Sequence, residues 1–140
     1  MRRTLAQILK AIVSLVPQTV TATTSAETVV DTKGYDQVCW IVQSGDGTFV
    51  DETYSFQVME DDAANGLTAT AITGAVKAVT ADNQTKKIQV SGLGTGSRKR
   101  YQFIRCTAAG SNKSLVVTTI ALLGGSSGKL NPVQDADASV

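Results

Sequence analysis

The sequence predicts an all-β fold, an antiparallel β-sandwich or small jelly-roll-like barrel, with a short N-terminal helix or arm and a flexible C-terminal tail. Three observations lead there. Short runs rich in β-branched and aromatic residues (VCWIV, TYSFQV, KKIQV, RYQFIRC, SLVVTTIALL) are separated by glycine-containing turns. Turn signals recur roughly every ten residues, the rhythm of about seven or eight short strands. Hydrophobic residues make up 42% of the chain but aromatics only 5%, so the core must be built mainly from Val, Ile, Leu and Ala. At 140 residues the chain is long enough for one self-sufficient core. The expected organisation is an arm over 1–17, a β-domain over 18–124 and a tail over 125–140.

The first segment predicts a helix. Leu5, Ile8, Leu9, Ile12, Leu15 and Val16 recur at three-to-four-residue spacing while Arg3, Gln7, Lys10 and Ser14 point elsewhere, and Pro17 ends the pattern. Arg2 and Arg3 ahead of apolar residues resemble a secretory leader, but Gln7 and Lys10 interrupt the apolar run. The run is also too short for a transmembrane helix, which needs about 20 apolar residues. So short a helix must dock on its own domain, a sister subunit or another protein. Thr19 to Thr23 then alternate as exposed strand or extended arm.

Val38 to Val42 are apolar on both faces, the pattern of a central strand covered on each side or of a strand at a subunit contact. Trp40 is expected as a core anchor, with an interface role as the rival. Ser44 to Thr48 form a hairpin-type loop. Tyr54, Phe56 and Val58 share one face of a half-buried strand, with Thr53, Ser55 and Gln57 on the other. Glu60 to Gly66 are an acidic turn ending in Asn-Gly, expected to be solvated. Leu67 to Val79 suggest two short strands around Gly74. Arg98, Lys99 and Arg100 precede an alternating strand on which Tyr101, Phe103 and Arg105 share a face, and Arg105 requires a carboxylate or carbonyl partner if buried. Ser114 to Leu123 form a central closing strand. Gly124 to Gly128 break all structure ahead of the tail.

The chain contains no histidine, which removes Ser-His and Cys-His couples and histidine-ligated zinc. Cys39 and Cys106 fall in different strands and make no metal motif; two reduced core thiols are expected, with a cross-strand disulfide as the alternative. A calcium loop starting at Asp61 fails, because Ala63 and Ile72 occupy ligand positions. Gly92, Gly94 and Gly96 imitate a dinucleotide fingerprint, but a strand and not a helix follows them. The net charge of +1 and the single Tyr beside the basic cluster argue against nucleic acid. Asp46, Asp51, Glu52, Glu60, Asp61 and Asp62 fall in turns and not in a glycosidase-like pair. The expectation is therefore a non-enzymatic protein without catalytic residues, cofactor or metal, and with no nucleic-acid or membrane partner.

Residues 31–36 (DTKGYD) leading into a strand, residues 56–62 (FQVMEDD) and residues 98–105 (RKRYQFIR) resemble small proteins of tailed phages and prophages encoded near the major capsid gene, the head decoration or cement proteins. The resemblance covers about residues 20–123. Gly34, Tyr35 and Asp36 match the family's turn, and Arg100 and Tyr101 its Arg-Tyr strand. It implies a β-sandwich on the outside of an icosahedral head, assembled in the host cytoplasm, that clamps and stabilises neighbouring copies of the major capsid protein. Such a protein is expected to be a trimer or dimer, because touching several capsid subunits gives avidity. The candidate interface residues are Leu5, Ile8, Leu9, Ile12, Trp40, Arg98, Arg100, Tyr101 and Arg105. Two alternatives compete: another virion part, such as a head-tail connector or tail protein, and a carbohydrate-binding β-sandwich module.

Overall fold

Alternation along the strands decides which side chains meet. Tyr54, Phe56 and Val58 are buried while Thr53 is exposed and Ser55 and Gln57 are half-buried. The same rule builds the rest of the domain in a computed structural model that describes residues 9–25 and 28–125. Nine strands follow one another: β1 (Lys10–Val20), β2 (Thr24–Ser25), β3 (Val30–Asp31), β4 (Gln37–Gly47), β5 (Thr53–Asp61), β6 (Thr70–Val79), β7 (Thr85–Ser91), β8 (Tyr101–Ala109) and β9 (Leu115–Gly124). Among the described residues no helix is long and apolar enough to cross a membrane.

The strands form two antiparallel sheets, β1-β9-β4-β7 and β2-β8-β5-β6, with β3 also pairing β8. Counting β2 and β3 as two pieces of one edge strand, the chain crosses between sheets at every connection except the β5–β6 hairpin. This is the jelly-roll order. The core lies between the sheets: Leu15, Val38, Trp40, Val42, Ile88, Val117 and Leu123 from the first meet Val30, Tyr54, Phe56, Val58, Ile72 and Ile104 from the second.

The N-terminal helix is not formed where the chain is described. Residues from Lys10 onward make edge strand β1, antiparallel to β9. Its pairing register slips between Val13 and Leu15 and again between Leu15 and Gln18. Each slip inserts an extra residue, so the residues directed inward, Ile12, Leu15 and Gln18, are three apart instead of two. Bulges thus gave a strand the spacing of a helix. Pro17 lies within the second slip of an edge strand, where no ladder donor is required of it. Leu5, Ile8 and residues 126–140 lie outside the described residues.

The segment expected as two strands around Gly74 is one strand, β6. Gly74 has φ +80° and lies in an irregularity where Gln57 and Met59 face Val76 and Ala71. The Gln57 side-chain amide fills the gap, donating to the carbonyls of Val58, Ile72 and Ala75 at 3.0, 2.8 and 3.1 Å. The glycine loop at 92–96 runs from β7 towards β8, so a strand follows it as expected.

Candidate interaction surface

In a two-layer sandwich the outward faces of the sheets meet solvent and are normally polar. The outward face of β1-β9-β4-β7 departs from this over two adjacent rows. Its pairing register places Ala11, Leu122, Cys39 and Gln89 in one row and Val13, Ile120, Ile41 and Lys87 in the next. Thr118, Gln43 and Thr85 make a third row, which is polar but uncharged. Beyond them, the backbone at Gly45 approaches Val116. Val13 and Val116 are 46% and 44% exposed, and Ile41, Ile120, Leu122 and Cys39 are half-buried. Across these three rows the only charged side chain is Lys87, and no carboxylate is present. At one end of the face a hollow of about 230 Å³ is lined by Leu9, Gln37, Cys39, Gln89, Leu122 and Gly124.

The two cysteines have different surroundings. Both are free. Cys39 is half-buried on the outward face, whereas Cys106 is buried in the core, where desolvation pushes its thiol up to about 12.

Several charged residues are engaged within the chain. Arg100 forms a two-pronged ion pair with Asp31 through Nε and Nη2 at 2.8 and 2.6 Å. Its guanidinium also covers the Tyr101 ring at 4.9 Å. The Arg100 hydrogen bond is the main cause that holds the Asp31 carboxyl below its usual range. Arg98 lies 3.5 Å from Glu60, and Lys99 3.7 Å from Asp62. Arg105 lies over the Phe103 ring at 5.9 Å.

The acidic turns are not simply solvated, contrary to the expectation. Glu52, Glu60 and Asp61 are buried. Glu52 accepts from the backbone N–H groups of Asn112, Val50 and Asp51 at 2.9, 3.1 and 3.2 Å. Asp61 accepts from the Thr68 hydroxyl at 2.8 Å and from the N–H groups of Thr68 and Ala63 at 3.0 and 3.2 Å. Both carboxyls are held below the usual range, chiefly by the Asn112 N–H for Glu52 and the Thr68 hydroxyl for Asp61. Backbone donors in tight loops need acceptors, and a short carboxylate supplies them. Glu52 and Glu60 sit at opposite ends of β5, about 27 Å apart along the strand, beyond the separation of any glycosidase pair.

The residues singled out from sequence do not form one surface. Leu9 borders the hollow, and Ile12 is partly buried against the core. Trp40 is fully buried between the sheets, in the core role. Arg98, Arg100 and Tyr101 belong to the loop end, away from the apolar rows. Trp40, Tyr54 and Phe56 are all buried, so they offer no stacking platform for a sugar. Val13, Ile41, Val116, Ile120 and Leu122 are not among the candidate interface residues, although the subunit-contact pattern of residues 38–42 pointed towards Ile41. The signal for this surface was the double-sided apolarity of residues 38–42 and 115–123.

No family model and no curated protein matches the sequence. Among solved structures, a chain from Bacillus endospore appendages, described as a novel family of disulfide-linked pili, has a TM-score of 0.47 and 12% identity over 91% of this chain and 98% of that one. A family two carbohydrate esterase from Cellvibrio japonicus has a TM-score of 0.35 and 10% identity over 91% of this chain and 37% of that one. Neither likeness carries an activity or a partner over to this chain, which stands as an antiparallel jelly-roll sandwich with an apolar patch on one outward face.

Proposed function

We propose that this chain is a structural virion protein, a decoration subunit that binds the outer surface of an assembled phage head and stabilises it. The observation that carries the reading is the apolar patch on the outward face of β1-β9-β4-β7, which marks a chain that functions within a multi-subunit assembly. Contiguous apolar surface of this kind marks a protein contact. The motif resemblance over residues 31–36, 56–62 and 98–105 supports the choice of a phage head as the assembly. The jelly roll is also a frequent capsid-protein architecture, which is support by analogy of fold. A subunit that binds only the expanded lattice stabilises that lattice by mass action. Its partner is the major capsid protein.

The test is co-sedimentation with mature, expanded heads that lack the protein, counting copies bound as it is titrated. Saturation at hundreds of copies per particle is expected. Saturation at a handful would point to a connector or tail part, and no binding would overturn the capsid reading.

A further inference from the structure

We infer that the outward face of β1-β9-β4-β7 is a homotypic interface, covered by the same face of a second copy of this chain. This deepens the oligomeric part of the reading above, and its test measures self-association in solution, independently of capsid attachment.

The argument starts from charge. An isologous contact brings each residue type against a patch of its own kind, so a face rich in one sign repels itself. Here the three central rows hold only Lys87, on β7 at the sheet's edge, and no carboxylate. With the two-fold axis along the strands, β7 of one copy lies over β1 of the other. Lys87 then meets an uncharged edge and not its own copy. Ile41, Ile120 and Leu122 lie on the two central strands of the face, where the largest apolar contribution is made.

Size gives the second step. Four strands spaced about 4.8 Å apart and up to ten or eleven residues long present a flat area of roughly 500–600 Å². A standard interface buries about 800 Å² per partner, and weak ones about 600 Å² or less. The face is therefore at the small end of the range, sufficient for a weak dimer that dissociates on dilution. Two such faces pack as sheet on sheet, about 10 Å apart with strands nearly aligned.

Cys39 supplies a local readout, because it lies on this face while Cys106 is enclosed in the core. The experiment is sedimentation velocity over a dilution series of the full chain, run in parallel with maleimide labelling of Cys39. The expected result is a dimer at high concentration and a monomer on dilution. Labelling of Cys39 should be roughly tenfold slower in the dimer, the protection given when about nine-tenths of chains are paired. Ile120→Glu and, separately, Ile41→Lys should abolish both the dimer and the protection, with Cys106 still unlabelled as proof of an intact core. A monomer at every concentration overturns the inference. If Cys39 is then protected in the monomer and released by deleting residues 1–8, the face is covered by the chain's own N-terminus. A dimer that leaves Cys39 reactive, or that survives both substitutions, overturns it as well.

Discussion

Replacing Tyr54 by Phe removes one oxygen from a clasp at one end of the sandwich and leaves the buried ring in place. The hydroxyl accepts from the Ser114 N–H at 2.8 Å, and lies 3.0 Å from the Ser114 carbonyl oxygen and 3.1 Å from Thr48 Oγ1. Thr48 Oγ1 is a second, longer acceptor for the same N–H, at 3.2 Å. The Ser114 carbonyl keeps the Thr48 N–H at 2.8 Å. Tyr54→Phe therefore removes hydrogen bonding without orphaning a backbone group, and should cost about 0.5–1.5 kcal/mol. For a domain of this size that lowers Tm by about 2–6 °C. Thr48→Val alone should cost a similar amount. The double variant leaves the Ser114 N–H with neither side-chain acceptor, so its loss should exceed the sum of the two by about 1 kcal/mol. Urea denaturation with an unchanged m-value measures all four corners of this cycle. An additive double variant, or a Tyr54→Phe protein within about 0.3 kcal/mol of wild type, would refute the reasoning.

Three further outcomes follow from other parts of the fold. Gly110 has φ +111°, and a Cβ there would stand 2.8 Å from the Glu52 Cα and 2.9 Å from the Asp51 carbonyl oxygen. Gly110→Ala should destabilise by more than about 2 kcal/mol, and a loss within 0.5 kcal/mol of zero in urea denaturation would count against that close approach. Gln102 is fully buried with neither amide atom hydrogen-bonded to a protein group. Gln102→Leu should be neutral or stabilising by up to about 1–3 kcal/mol in thermal unfolding, and a loss above about 1 kcal/mol would show that the amide has a partner. Asp31, Glu52 and Asp61 have carboxyls held below their ordinary values of 3.8, 4.5 and 3.8, so the unfolded chain binds more protons than the folded one in acid. Their stabilisation is fully present above about pH 5 and is lost as pH falls through and below 4.5, while the absence of histidine leaves Tm flat between about pH 6 and 8. Tm measured against pH should fall less steeply in Glu52→Gln, and an unchanged slope would remove Glu52 from the acid response.

Much of the architecture was legible because β-strands write a period of two into the chain. Tyr54, Phe56 and Val58 on one face of β5, the doubly apolar β4 and the closing strand β9 were all readable in this way. The pattern misled at β1, where two bulges changed the inward spacing to three and imitated a helix. It misled again at Glu52, Glu60 and Asp61, because an acidic turn looks the same in sequence whether its carboxylates face water or accept from backbone N–H groups.

The sequence by itself determined the class of fold and the composition of its core, since alternation, turn residues and the shortage of aromatics are local properties. It also determined that these 140 residues supply no imidazole. Only the tertiary structure decided that Arg100 spends its charge on Asp31, 69 residues away, and that Ile41, Ile120 and Val13 stand side by side. Both are products of strand order and register, which depend on contacts between residues far apart in the chain. The apolar patch exists only once β1, β9 and β4 are neighbours, because no single strand contains enough of it to be recognised.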